Sequence, residues 1–301
     1  MNPWPPRIRG ESYALRKHMG IHTTSAMCGT KGRHRPFGAR HVVDEPALRA
    51  ASSDPESADD VGGGAESGPQ ASPSSPKDAV AAHVAPFVLW IVILFALGDP
   101  AGWKYAVRAA AGAAALLWFR PWRWYGPLRV GRLAWATLVG VAVFVVWVLP
   151  ETPWMARWGG LQEAYLRWAV VPFGKIPEAP EIAAYAPETC GWVFTVTRLM
   201  GAALIIPIIE EFFWRGFLYR WLIGTRFTDV DLGALRVPVL LAVSVVFGLE
   251  HQRWLVGIFA GLAYGLFVIK TRDIWAACVA HGITNLLLGW YVLATRAYAF
   301  W

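Results

Sequence analysis

The chain has 301 residues, of which 55% are hydrophobic and only 16% charged, with 18 tryptophans and a formal net charge of +7. That apolar load exceeds what an ordinary globular domain carries and calls for a bilayer. The basic excess sits in the N-terminal region and in short connectors between apolar runs, where it orients a membrane protein and does not describe a nucleic-acid surface. The three cysteines, Cys28, Cys190 and Cys278, are scattered without a CxxC pair, which speaks against a disulfide framework and against a thiolate metal site.

Residues 1–82 are rich in Pro, Gly, Ser, Asp and Arg, show neither helical nor strand periodicity, and read as a disordered cytoplasmic tail. No apolar stretch of signal-peptide type precedes residue 84. Residues 83–189 then hold N-terminal transmembrane helices and an interfacial loop. The first apolar run ends at Gly98-Asp99-Pro100 and the second at Arg120-Pro121; the third, Leu133 to Leu149, is long enough to cross. The loop that follows is Trp-rich and predicts an interfacial helix from Trp154 to Val170, with Trp103, Trp122, Trp124, Trp154 and Trp158 as interfacial anchors.

Residues 190–301 form the expected catalytic core, with apolar segments at 192–223, 237–249, 254–269 and 274–294. The fold class is therefore all-α: a polytopic bundle of seven transmembrane helices, or eight if the last segment breaks at Gly282. Gly257, Gly261 and Gly265 form a stripe suited to close helix packing, within the bundle or between copies. Arg120, Arg123, Arg129 and Arg132 in one connector and Arg215, Arg220, Arg226 and Arg236 around another put both on the cytoplasmic side, together with Lys270 to Asp273 and the N-terminus.

Ionisable side chains are expensive in apolar segments and mark function. Three places in the core break the apolar pattern. In Pro207-Ile-Ile-Glu210-Glu211-Phe-Phe-Trp-Arg215, the i, i+4 spacing lets Glu211 pair with Arg215, while Glu210 points about 100° away and stays free. Pro207 removes a backbone hydrogen bond just upstream and predicts a kink. Phe247-Gly-Leu-Glu250-His251 closes an apolar run. His281-Gly-Ile-Thr-Asn285 puts a histidine and an amide on one helix face, a donor pair suited to a developing oxyanion. Together these are the parts for hydrolysing a peptide bond with an activated water: Glu210 as general base, His251 sharing and orienting the water, His281 and Asn285 stabilising the tetrahedral intermediate, Glu211 and Arg215 in support. Taken singly, each group also has a structural reading, as a helix-end ion pair, an interfacial histidine or an interhelical hydrogen bond.

At these residues the chain resembles the CPBP family of intramembrane proteases, which includes the type II CAAX prenyl endopeptidases and bacteriocin self-immunity proteins. The family pattern E-E-x-x-x-R, F-x-x-x-H, H-x-x-x-N is matched in order by Glu210-Glu211…Arg215, Phe247…His251 and His281…Asn285. The resemblance implies an eight-helix bundle with a cavity open to membrane and cytoplasm, and a metal-independent glutamate mechanism without a cofactor. It gives the same catalytic roles to Glu210, His251, His281 and Asn285, with Glu211, Arg215 and Phe247 supporting. The expected partners are a membrane-anchored protein substrate, C-terminally marked or lipidated, and the bilayer of a bacterial inner membrane. A zinc peptidase using Glu210, His251 and His281 is the main alternative, although HExxH is absent from the sequence. A non-enzymatic immunity or scaffold protein is the second, and a proton-coupled transporter ranks below both.

Overall fold

Long runs of Val, Leu, Ile, Ala and Phe without internal polar breaks satisfy their backbone hydrogen bonds as helices, the form a single chain segment can take in lipid. The computed structural model describes residues 76–98, 102–170 and 184–301, and among these every regular element is helical. We number the principal helices α1 (Pro76–Leu97), α2 (Trp103–Phe119), α3 (Leu133–Val148), α4 (Gly159–Trp168), α5 (Trp192–Ile223), α6 (Val237–Leu249), α7 (Trp254–Thr271) and α8 (Ile274–Thr295).

Five segments are long and apolar enough to cross a membrane: Lys77–Leu97, Val130–Glu151, Trp192–Ile223, Trp254–Thr271 and Ile274–Thr295. The shorter apolar helix α6 and helix α2 pack with these five in the helical bundle of an integral membrane protein. Helix α8 is continuous through Gly282, so the break there that would have added an eighth span is not seen. Helix α1 begins at Pro76, ahead of the expected boundary at 83, and the remainder of the expected tail, with Cys28, lies outside the described residues.

Polar contacts tie the connectors together at each end of the bundle. At one end, the Arg129 N–H donates to Asp273 Oδ2 at 3.0 Å, Arg220 donates to the Tyr125 hydroxyl at 3.1 Å, and Arg272 pairs with Asp231 at 3.2 Å. The three arginine-bearing connectors thus share one end, as an even number of crossings between them requires. At the other end, Arg253 reaches Glu151 through two nitrogens, at 2.6 and 3.0 Å, and the Trp254 indole donates to the Trp168 carbonyl at 3.0 Å. The interfacial helix expected there is α4, preceded by a tight turn at Met155–Trp158. Of the five tryptophans expected as anchors, Trp103, Trp154 and Trp158 are exposed, whereas Trp122 and Trp124 are half-buried, their rings 6.5 Å from Trp275 and 5.5 Å from His83.

The glycine stripe of α7 faces α6. A Cβ on Gly257 would lie 2.9 Å from Gly248 Cα, and one on Gly261 would lie 3.0 Å from Ser244 Cα, so the stripe is used within the bundle.

Candidate active site

Helix α5 changes its hydrogen-bond register twice. Over Gly201–Ile205 it runs as a π turn, with the Ile206 N–H donating five residues back to Gly201 O. A second π turn covers Phe212–Leu218, where the Tyr219 N–H reaches Trp214 O. Such bulges often accompany functional sites. The first has a local cause: Pro207 has no N–H, so in π register the carbonyl of Ala202 loses its donor. Helix α8 supplies the replacement. Asn285 Nδ2 donates to Ala202 O at 2.9 Å, and Gly282 packs so tightly on the neighbouring Ala203 carbonyl that a Cβ there would come within 2.6 Å of its oxygen. A kink was expected at Pro207, and a register shift is what the proline produces.

Between the two π turns, Glu210 and Glu211 project into the bundle, 6% and 0% exposed. Arg215, itself buried, donates through one terminal nitrogen to Glu211 Oε1 at 2.9 Å and through the other to Gly261 O at 3.1 Å. His281 Nδ1 lies 3.0 Å from the same Glu211 oxygen, while its Nε2 stands 4.0 Å from Glu210 Oε2. Glu211 is therefore claimed by a cation and an imidazole. Glu210 Oε2 has no hydrogen-bond partner among the described residues. Because the carboxylate of Glu211 accepts, the Nδ1 of His281 donates, and a proton on Nε2 as well makes the ring an imidazolium that donates in both directions.

His251 follows the end of α6, where its Nδ1 donates to the Phe247 carbonyl at 2.8 Å, leaving Nε2 as an acceptor. Burial pushes this imidazole down from 6.5 to about 4, so the ring is neutral at physiological pH. Phe247 holds several of these groups together. Its ring lies 4.4 Å from the Arg215 guanidinium carbon, 4.8 Å from the His251 ring and 6.2 Å from the His281 ring.

A cavity of about 220 Å³ is lined by Glu210, Phe247, His251, His281 and Asn285 together. The four catalytic candidates and Phe247 thus share one space, while Glu211 and Arg215 are packed behind it. One expectation needs adjusting. Asn285 was read as an oxyanion donor, yet one of its amide protons is committed to Ala202 O, so only the other remains for a ligand. Among the described residues, no group of three or more His, Cys, Asp or Glu side chains has metal-holding spacing. Glu210, His251 and His281 as placed do not form the donor set that a catalytic zinc requires.

Residues 192–287 match the family model of the type II CAAX prenyl endopeptidase Rce1-like proteins. Over these residues the chain is similar to the Rce1-like family. The match takes in α5, α6, α7 and most of α8, with all the motif residues described above, and leaves α1 to α3 outside it. Rce1-like proteins are membrane proteases, and the match is in line with the CPBP resemblance. No curated protein and no solved structure matches the chain.

The site also draws on residues that the sequence motifs do not mark. The Tyr264 ring stacks on His281, with centroids 4.9 Å apart, and its hydroxyl donates to Thr284 Oγ1 at 2.7 Å, fixing the imidazole plane. The signal was a tyrosine inside the glycine stripe of α7. Tyr105 and Arg108 of α2, and Arg198 of α5, line the same cavity. An arginine within the 17-residue apolar run of α2 was the signal for Arg108.

Proposed function

We propose that the protein is a glutamate-dependent intramembrane endopeptidase that hydrolyses a peptide bond of a membrane-anchored protein without a metal ion. The observation that carries this reading is the contrast between two adjacent buried carboxylates: Glu211 is tied to Arg215 and His281, whereas Glu210 lines the cavity and its Oε2 is buried without a hydrogen-bond partner among the described residues. A carboxylate held in that state is suited to accept a proton from water.

Glu210 takes a proton from a water whose second proton is directed to His251 Nε2, and the resulting hydroxide attacks the scissile carbonyl. The tetrahedral oxyanion receives hydrogen bonds from His281 Nε2, in the imidazolium state, and from the uncommitted amide proton of Asn285. Glu210 then returns its proton to the leaving nitrogen, and the C–N bond breaks. Glu211 accepts from His281 Nδ1 throughout, while Arg215 balances its charge. Under the positive-inside rule, the end carrying the arginine-rich connectors faces the cytoplasm of a bacterial inner membrane, together with the start of α1.

The test is cleavage of detergent-solubilised, lipid-anchored reporter peptides by purified protein in ¹⁸O-labelled water, with the fragments weighed by mass spectrometry. One ¹⁸O in the new carboxyl group is expected. Absence of cleavage across lipidated and unlipidated peptides would leave the non-enzymatic binding reading in its place.

A further inference from the structure

Part of the cavity wall comes from a segment outside the family match. Helix α8 ends at Thr295, and Arg296 takes a left-handed backbone conformation (φ 58°) that turns the chain back along α8. A single 3₁₀ turn, Tyr298–Phe300, and then Trp301 follow. Tyr298 is buried with Tyr185 and Val292, which roots the segment on the bundle. Phe300 and Trp301 are only half-buried, and both line the cavity that holds Glu210, His251 and His281. The Trp301 ring centroid lies 5.3 Å from the Arg198 guanidinium carbon, and its indole nitrogen would stand 3.8 Å from a Cβ on Gly289. One side chain secures this strap. Arg253, in the turn between α6 and α7 two residues after His251, donates through Nη1 to Ala299 O at 2.8 Å, and its guanidinium carbon lies 3.8 Å from the Phe300 ring centroid. Its other two nitrogens meet Glu151 at 2.6 and 3.0 Å, so the end of α3 holds the fork in place whether or not the strap is there.

With the strap in place the cavity measures about 220 Å³, less than the roughly 300–1,000 Å³ that encloses a drug-sized ligand, and a peptide occupying both sides of a scissile bond needs more room than that. Among the described residues, every lining residue other than Phe300 and Trp301 belongs to a principal helix or is His251. The strap is therefore the one part of that wall that can leave without unfolding a helix. It is short, its two rings are half-exposed, and the exposed Arg296–Glu188 pair at its hinge, 3.2 Å apart, adds little hold. We propose that residues 298–301 close the catalytic cavity as a strap that swings away at Arg296 to admit a substrate chain, with Arg253 as its latch. This rests on the peptidase reading above and adds a gate to it: substrate competes with Phe300 and Trp301 for the space beside Glu210 and His251.

Access to the cavity can be read without any cleavage. Leu288→Cys places a thiol on the cavity wall of α8, in protein whose own cysteines are replaced (Cys28→Ser, Cys190→Ser, Cys278→Ala), and its reaction with a water-soluble maleimide is timed in detergent. Adding Phe300→Ala/Trp301→Ala, which keeps Tyr298 and so the root of the strap, is expected to speed labelling about 10-fold, the factor for an open form that makes up about a tenth of the population. Arg253→Lys guards against a misfolded double variant: it keeps a cation beside Glu151 but gives up the fork and the flat face against Phe300, and labelling should rise severalfold. Labelling no faster in either altered protein than in the intact one overturns the proposal, whether or not peptides are cut. In reporter cleavage, Phe300→Ala/Trp301→Ala without the cysteine changes should raise kcat/KM by about the same 10-fold, read in KM. A fall in kcat/KM would make the two rings part of the substrate-binding wall and overturn the gate. Faster labelling of the altered proteins with no cleavage by any form upholds the gate while the peptidase reading falls.

Discussion

Gly282→Ala tests whether the docking of α8 on the opened backbone of α5 sets the catalytic geometry. The new methyl carbon would lie 2.6 Å from Ala203 O, against a carbon–oxygen contact distance of about 3.3 Å, so the two helices must part locally by roughly 0.7 Å. Overpacking of this kind costs about 1–3 kcal/mol. His281 precedes Gly282 and Asn285 follows it on the same helix, so the 4.0 Å His281–Glu210 separation and the 2.9 Å Asn285–Ala202 bond change with it. A displacement approaching 1 Å at reacting groups costs about 100-fold in rate, which puts the expected loss in kcat at about 10- to 100-fold. Cleavage kinetics and thermal unfolding in detergent, followed by intrinsic tryptophan fluorescence, read both effects. Gly126→Ala, where no heavy atom lies within 4 Å of the added methyl, is the neutral control. A Gly282→Ala protein with the melting temperature and kcat of wild type would refute the reasoning.

Arg215→Met leaves Glu211 without its cation and Gly261 O without its donor, and is expected to destabilise by about 3–5 kcal/mol. Adding Glu211→Gln should restore part of that loss in a double-mutant cycle. Glu151→Gln removes the charge that meets Arg253 at 2.6 and 3.0 Å; unfolding should come about 1–3 kcal/mol easier, read by the same fluorescence melt. His251 is neutral in the fold down to about pH 4 but takes up a proton near 6.5 when unfolded, so its contribution to stability is complete above 6.5 and is lost as pH falls toward 4. His251→Asn should therefore melt with a flatter pH dependence between 6.5 and 4 than wild type, and parallel curves would count against a buried neutral imidazole.

The apolar runs were legible because each is a nearly unbroken helix whose ends are marked by Pro, Gly or Arg, and the structure keeps their order. Within the site, the spacing of Glu211 and Arg215 was enough to predict their ion pair, even though α5 departs from α-helical register just after Glu211. The register shift itself was not legible. Pro207 announces a missing donor, but which carbonyl is freed, and that Asn285 would be drawn to it, depends on how α8 packs. The sequence allowed Asn285 either an oxyanion or an interhelical hydrogen bond, and its bond to Ala202 O is the interhelical one. Arg108 and Tyr105 escaped because they sit in a short helix far from the motifs in sequence, and only the tertiary arrangement brings α2 to the cavity wall.

The measurement closest to the central claim is the rate of reporter cleavage by wild type and by Glu210→Gln, each with and without a tight chelator. Removing a general base that also returns the proton is expected to lower kcat by about 100- to 10,000-fold, with chelation changing neither protein. Cleavage undiminished in Glu210→Gln, or wild-type activity lost to the chelator and restored by zinc, would contradict the glutamate mechanism.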